Sequence, residues 1–122
     1  MEIHESGEDY LEAILILQKQ MGESAVRSVD LARYMGFSKP SISHAVRILK
    51  ESGFLCKDKE GFLYLTDTGQ EVAEKIYERH QFFTKMLISA GVDKVIAEQD
   101  ACRIEHAVSE ESFLKIKENI EL

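Results

Sequence analysis

Apolar residues recur at helical spacing along most of this chain. Tyr10, Ile14, Leu17 and Met21 repeat every three or four positions, and Leu11 and Leu15 widen the stripe, predicting a first helix over about Glu5–Met21. Ser6 is its expected N-cap, Glu8 and Asp9 lie in the first turn where the helix dipole favours acids, and Gly22 stops it. A short helix over about Ser28–Met35 follows, capped by Ser28, with Val29, Leu31, Ala32 and Met35 facing inward and Gly36 at its end. Ser38 caps a third helix, which admits Pro40 in its first turn, buries Ile42, Ala45, Val46 and Leu49, and closes at Gly53.

Beyond Gly53 the pattern changes. Gly53–Cys56 and Phe62–Leu65 read as strands around a polar turn at Lys57–Gly61. A long helix then begins within Thr66–Gly69 and runs to about Ala90, where Gly91 breaks the chain. Helices over about Asp93–Ala107 and, capped by Ser109, through Ile120 complete the reading. Two helices of that size bury little alone, so they must pack on the long helix or on a second subunit. The predicted class is mainly α: an N-terminal winged helix-turn-helix DNA-binding domain over residues 1–70 and a C-terminal helical domain over 71–122. In such a fold the third helix enters the DNA major groove with the hairpin beside it.

Composition narrows the class. With 122 residues, 44% hydrophobic and 30% charged, the chain is neither a disordered tail nor a collagen-like fibre. The longest apolar run, Ala13–Leu17, is far short of the roughly 20 residues of a membrane span. The acidic start, with His4 as a solvated terminal residue, is unlike a signal peptide, so the expected location is cytoplasmic and no membrane partner is expected. Two cysteines, Cys56 and Cys102, are too few for a disulfide scaffold.

Charge is unevenly spread. The net charge is −7, yet Ser24–Lys50 holds five basic residues against one acid, or +4. A basic segment in an acidic chain points weakly to a polyanion partner. Ser41, Ser43, His44 and Arg47 lie on the outer face of the third helix, where they can reach base edges or phosphates. Lys39 and Lys50 would sit near the phosphate backbone, Pro40 joins the candidate DNA contacts, Arg27 and Ser28 start the second helix, and Lys57 and Lys59 tip the hairpin. A solvated helical face with no partner is the bland alternative.

A second constellation lies in Cys102-Arg103-Ile104-Glu105-His106, where Cys102, Glu105 and His106 share a helix face and Glu98 sits one turn earlier. Thiolate, carboxylate and imidazole form a transition-metal ligand set; a buried cysteine beside a solvated Glu–His pair is the alternative. Asp9 and Glu12, three apart on the first helix, could add hard oxygen ligands, or could be ordinary surface acids. His80 matters only if it faces the Cys102–His106 cluster. Catalysis has little support: there is no Gly-rich phosphate loop, nucleophile elbow or His-Glu-x-x-His helix, so no enzyme is expected.

Five segments in order, Glu8-Asp9-Tyr10-Leu11-Glu12, Ser38-Lys39-Pro40-Ser41-Ile42-Ser43, Leu65-Thr66-Asp67-Thr68-Gly69, Arg79-His80 and Asp100–His106, resemble the metal-dependent repressors related to the diphtheria toxin repressor and the manganese transport regulators, in their two-domain form. The resemblance covers nearly the whole chain. It implies a homodimer whose C-terminal domain binds metal and dimerises, with a site where the first helix meets that domain. By position it assigns Asp9, Glu12, His80, Glu105 and His106 as manganese-type ligands and Cys102 as an iron-type one. Thr84 and Glu98 stand where the iron type has further ligands, so the set is a hybrid of the two. The cofactor expected is Fe2+ or Mn2+, one or two ions per subunit, with no organic cofactor. The function expected is repression of metal-uptake genes at a pseudo-palindromic operator, the ion relieving repulsion of Asp9 and Glu12 by Glu98 and Glu105. A winged-helix regulator sensing a thiol oxidant or small organic ligand is the rival reading, with a small metalloenzyme behind it.

Overall fold

The computed structural model describes residues 5–121, so the reading of His4 lies outside the described residues. The elements, in order, are α1 (Glu5–Met21), α2 (Ser28–Met35), α3 (Lys39–Glu51), β1 (Leu55–Lys57), β2 (Leu63–Leu65), α4 (Asp67–Ser89), α5 (Lys94–Ala107) and α6 (Glu110–Asn119). The chain divides into two compact units, residues 1–74 and 75–122.

In the first unit α1, α2 and α3 pack with a two-stranded antiparallel hairpin. Leu11 and Ile14 of α1, Leu31 of α2, Ile42 of α3 and the strand residues Leu55 and Leu63 are almost fully excluded from solvent. The buried face of α3 is Ile42, Ala45, Val46 and Leu49, as its spacing requires. Ser38 caps α3 by accepting a hydrogen bond from Ser41 N at 3.3 Å. Gly36 ends α2 in the left-handed region (φ 71°), which frees the chain to turn tightly into α3.

Several local expectations need correction. Ser6 is already helical, because α1 begins at Glu5. The N-cap of α2 is Arg27, not Ser28, and its N–H donates to Asp30 Oδ2 at 2.9 Å, so the acid three residues on satisfies the helix start. Met21 and Val29, placed on apolar faces by the spacing, are exposed, at 43% and 42%. The strands are shorter than the apolar runs: Gly53 turns with φ 85°, and Phe62 forms only an isolated bridge to Arg27.

The hairpin pairs Leu55 with Leu65, Cys56 with Tyr64 and Lys57 with Leu63. Its turn is built on Asp58, which accepts from Phe62 N (2.9 Å), Glu60 N (3.0 Å) and the Tyr64 hydroxyl (3.1 Å). The bond from Phe62 N leads the causes that hold the Asp58 carboxyl below its usual value. Thr66 then joins hairpin to helix: its hydroxyl donates to Gly53 O at 2.7 Å and accepts from Gly69 N at 3.1 Å. A Cβ at position 69 would lie 2.0 Å from Phe54 O, so this close approach demands glycine.

The second unit holds the rest of α4 with α5 and α6. Phe83, Ala101 and Phe113, one from each helix, form its core, ringed by Phe82, Met86, Ile104 and Val108. Phe82 and Phe83 both pack against Phe113, with centroids 5.6 and 5.8 Å away. The two short helices thus pack on α4. So small a core leaves Ile88, Val95, Ile96 and Leu114 exposed. Among the described residues no helix is long and apolar enough to cross a membrane.

Candidate functional site

Two clusters hold the residues of interest, one in each unit. In the second unit α4 contributes His80 and α5 contributes Cys102, Glu105 and His106. His80 Nδ1 donates to Glu105 Oε2 at 2.9 Å, and Cys102 Sγ lies 3.7 Å from the same nitrogen. On the other side of the carboxylate, His106 Nε2 lies 3.3 Å from Glu105 Oε1. Glu105 is fully buried, His106's side chain nearly so, and Cys102 is exposed at the rim. The helical spacing that puts Glu105 and Cys102 on one face of α5 turns both toward His80.

Electrostatics follows from this geometry. The Cys102 sulfur, then the Glu105 carboxylate, push the His80 imidazole up to about 10, against burial. Burial would raise Glu105, but hydrogen bonds from His106 and His80 outweigh it and hold the carboxyl below its ordinary value. At neutral pH the site is therefore a buried carboxylate facing an imidazolium.

The donors fit a metal ion. His80, Cys102 and Glu105 each offer a ligand atom, and these lie within 4.8 Å of one another. Ligands about 2.0–2.3 Å from a shared ion fall within that span. Imidazole, thiolate and carboxylate are together suited to divalent transition metals. Glu98 is exposed on α5 and belongs to no such group with these three. The Thr84 hydroxyl, one turn along α4 from His80, is buried with no hydrogen-bond partner among the described residues.

On α1 of the first unit, Asp9 is half-buried and Glu12 is only 7% exposed. Among the described residues the buried charged side chains are Glu12 and Glu105. Buried carboxylates are rare without compensation, and both stand at positions picked out in the sequence.

The first unit also presents the polar face of α3. Ser41, Ser43, His44 and Arg47 are exposed, opposite the buried stripe. Arg47 Nη2 donates to His44 Nδ1 at 3.0 Å, and Arg47 also reaches Glu51 at 3.9 Å. Ser41 receives the Ser38 hydroxyl at 3.0 Å, while Lys39 and Pro40 stand exposed in the first turn. A small concavity lined by Ser28, Val29, Lys39, Ile42 and Ser43 separates α2 from α3. In the hairpin Lys57 and Lys59 are exposed, and the Arg27 guanidinium stacks on the Phe62 ring, 4.1 Å from its centroid. Arg27 thus belongs to the wing as much as to α2.

Two contributors carried no role in the sequence reading. Asp58 organises the wing turn; its signal was an acid followed by Lys-Glu-Gly in a tight turn. Arg79 donates from Nη1 to the carbonyl oxygens of Glu105 and Val108. Its signal was indirect: α5 ends at Ala107-Val108-Ser109 with no glycine to close it, so its last carbonyls need other donors.

Comparison with known proteins agrees with this layout. The N-terminal DNA-binding domain of the iron dependent repressors matches residues 2–61, and their metal-binding and dimerisation domain matches residues 66–121. The transcriptional regulator MntR of Escherichia coli O6:H1 is 35% identical over 106 residues, 87% of this chain and 67% of that protein. The manganese regulator SloR superposes with a TM-score of 0.80 at 26% identity, over 92% of this chain and 52% of that one. A manganese-dependent transcriptional repressor in complex with manganese superposes with a TM-score of 0.80 at 27% identity, over 92% of this chain and 51% of that one. This chain thus spans about half the length of these two solved structures. With both domain matches in the family's order, and together covering nearly all of its residues, the chain belongs to the iron-dependent repressor family.

Proposed function

We propose that this protein is a divalent-metal-responsive transcriptional regulator. It acts as a homodimer that binds a pseudo-palindromic DNA site when loaded with Fe2+ or Mn2+, and it represses genes of metal uptake. The observation that carries this reading is Glu105, a fully buried carboxylate between two imidazoles with a thiol alongside. Its family is one of DNA-binding, metal-binding regulators, which favours this reading over an enzyme.

Bound at this site, a divalent cation supplies the positive charge that the His80 proton otherwise provides. The chain's own residues define the rest. His80, Cys102, Glu105 and His106 are the C-terminal ligands. Asp9 and Glu12 on α1 complete the set, as the family resemblance implies, and the burial of Glu12 supports that role. Glu98 is available to a second ion. Without a cation Glu105 already faces two imidazoles, so a bound ion would take the place of the His80 proton rather than only relieve repulsion among bare carboxylates.

Asp9 and Glu12 lie on a helix of the DNA-binding unit, so their engagement gives α1 a part in both functions. The DNA-competent arrangement is favoured to the extent that it holds the ion more tightly than the alternative does. His44, Arg47, Ser41 and Ser43 read base edges or phosphates, while Arg27, Ser28, Lys39, Pro40, Lys57 and Lys59 place the protein on the backbone. Exposed Ile88, Val95, Ile96 and Leu114 on the second unit support dimerisation there. Both ions remain in the reading: the family is named for iron, the superposed regulators are manganese proteins, and the donor set mixes soft and hard ligands. The test is fluorescence anisotropy on DNA from the protein's own upstream region, with chelator-stripped and metal-loaded protein. Binding only by the loaded form is expected; equal binding by both forms contradicts the proposal.

A further inference from the structure

Arg79 and His80 are consecutive on α4, and both engage Glu105. His80 takes the carboxylate, and Arg79 takes the main-chain carbonyl, at 3.1 Å. The same Arg79 nitrogen donates to Val108 O, and the guanidinium lies over the Phe113 ring, 5.2 Å from its centroid. α5 ends at Ala107, and Val108 after it is extended (φ −96°, ψ 131°). The last carbonyls of such a helix have no partner within it and carry partial negative charge. A guanidinium answers both needs, and its planar donors fix direction as an ammonium does not.

We infer that Arg79 is a positioning residue of the metal site, holding the main chain of α5 where it carries Glu105 and His106. This rests on the metal-binding reading above. Ligand oxygens and nitrogens must be placed to a fraction of an ångström, and groups that orient ligands affect affinity although they never touch the ion. Arg79 reaches the backbone of one ligand directly and closes the turn that holds the next. Phe113 backs the guanidinium, so α6 supports the clamp.

The experiment is Mn2+ titration of the 122-residue protein, with wild type, Arg79→Gln and Arg79→Lys. Arg79→Gln is expected to weaken Mn2+ binding at least about 10-fold. Arg79→Lys, which keeps the charge at the helix end, recovers part of that loss and serves if Arg79→Gln does not fold. Amide hydrogen exchange of the metal-free protein is expected to quicken at residues 104–108 in Arg79→Gln. Arg79→Gln affinity matching that of wild type, or exchange at residues 104–108 as slow as in wild type, overturns the positioning role alone. Wild-type protein that takes up neither Mn2+ nor Fe2+ overturns the underlying metal reading instead.

Discussion

His80 and Glu105, twenty-five residues apart, meet at 2.9 Å, one partly accessible and the other completely buried. Each shifts the other's titration toward the charged form, so in the metal-free protein they are an imidazolium and a carboxylate. The proposed metal site therefore holds a proton on His80 before any cation arrives.

Stability of the metal-free protein should follow that pair. His80 is raised from 6.5 to about 10, so its contribution is complete below 6.5 and is lost as pH rises through about 10. Glu105 is lowered from 4.5, so its contribution is complete above 4.5 and is lost as pH falls through its lowered value. The groups facing His80 within its unit are Glu105 and Cys102, with His106 on the far side of the carboxylate. Urea denaturation in the presence of chelator should show greatest stability between pH 4.5 and 6.5 and a decline toward pH 10. His80→Asn should remove most of the alkaline decline; an unchanged slope in that variant would refute the assignment.

Metal uptake should release the His80 proton. Because that proton is held to about pH 10, Mn2+ affinity should rise with pH throughout the neutral range, by up to about tenfold per unit from this group. Calorimetric titrations in buffers of different ionisation heat count the proton. An affinity independent of pH between 6.5 and 8.5 would contradict the exchange.

Much of this was legible in the sequence, for identifiable reasons. The stripe Ile42, Ala45, Val46 and Leu49 fixed which face of α3 is free, and the i, i+3 spacing of Cys102 and Glu105 fixed their common face. Other features were not legible because they depend on contacts between distant segments. Nothing local to Thr66 announces its bond to Gly53, and nothing local to Gly69 announces the approach of Phe54 O. Ser28 looked like a cap because its residue type suits one, but the backbone gave that position to Arg27, with Asp30 supplying the acceptor. His80 is a lone histidine in sequence; its partners come from α5 only after folding.

Gly69→Ala should test the hairpin-to-helix joint. The added Cβ would meet Phe54 O at 2.0 Å, and backbone must move to admit it. A loss of about 1–3 kcal/mol is expected, the range for forced overpacking. Urea denaturation measures it, and a change below about 0.5 kcal/mol would show that the joint yields freely.

Arg47→Ala should separate the two functions. Arg47 is exposed on α3, and its polar contacts are with His44 and Glu51 of the same helix, so its removal should leave the fold and Mn2+ affinity intact. DNA binding should weaken by about 1–3 kcal/mol if Arg47 reads a base, or lose about one unit of salt slope if it holds a phosphate. Anisotropy titrations at several salt concentrations distinguish these, and unaltered binding at every salt would remove Arg47 from the interface.

The central claim is that the Glu105-centred site governs DNA binding. Its most direct measurement is operator affinity of wild type and Glu105→Gln, each with chelator and with saturating Mn2+, or Fe2+ under anaerobic conditions. Wild type should gain at least about tenfold in affinity on loading, or about 1.4 kcal/mol, while Glu105→Gln should stay at its metal-free level. A Glu105→Gln protein that responds to the ion as wild type does would contradict the account.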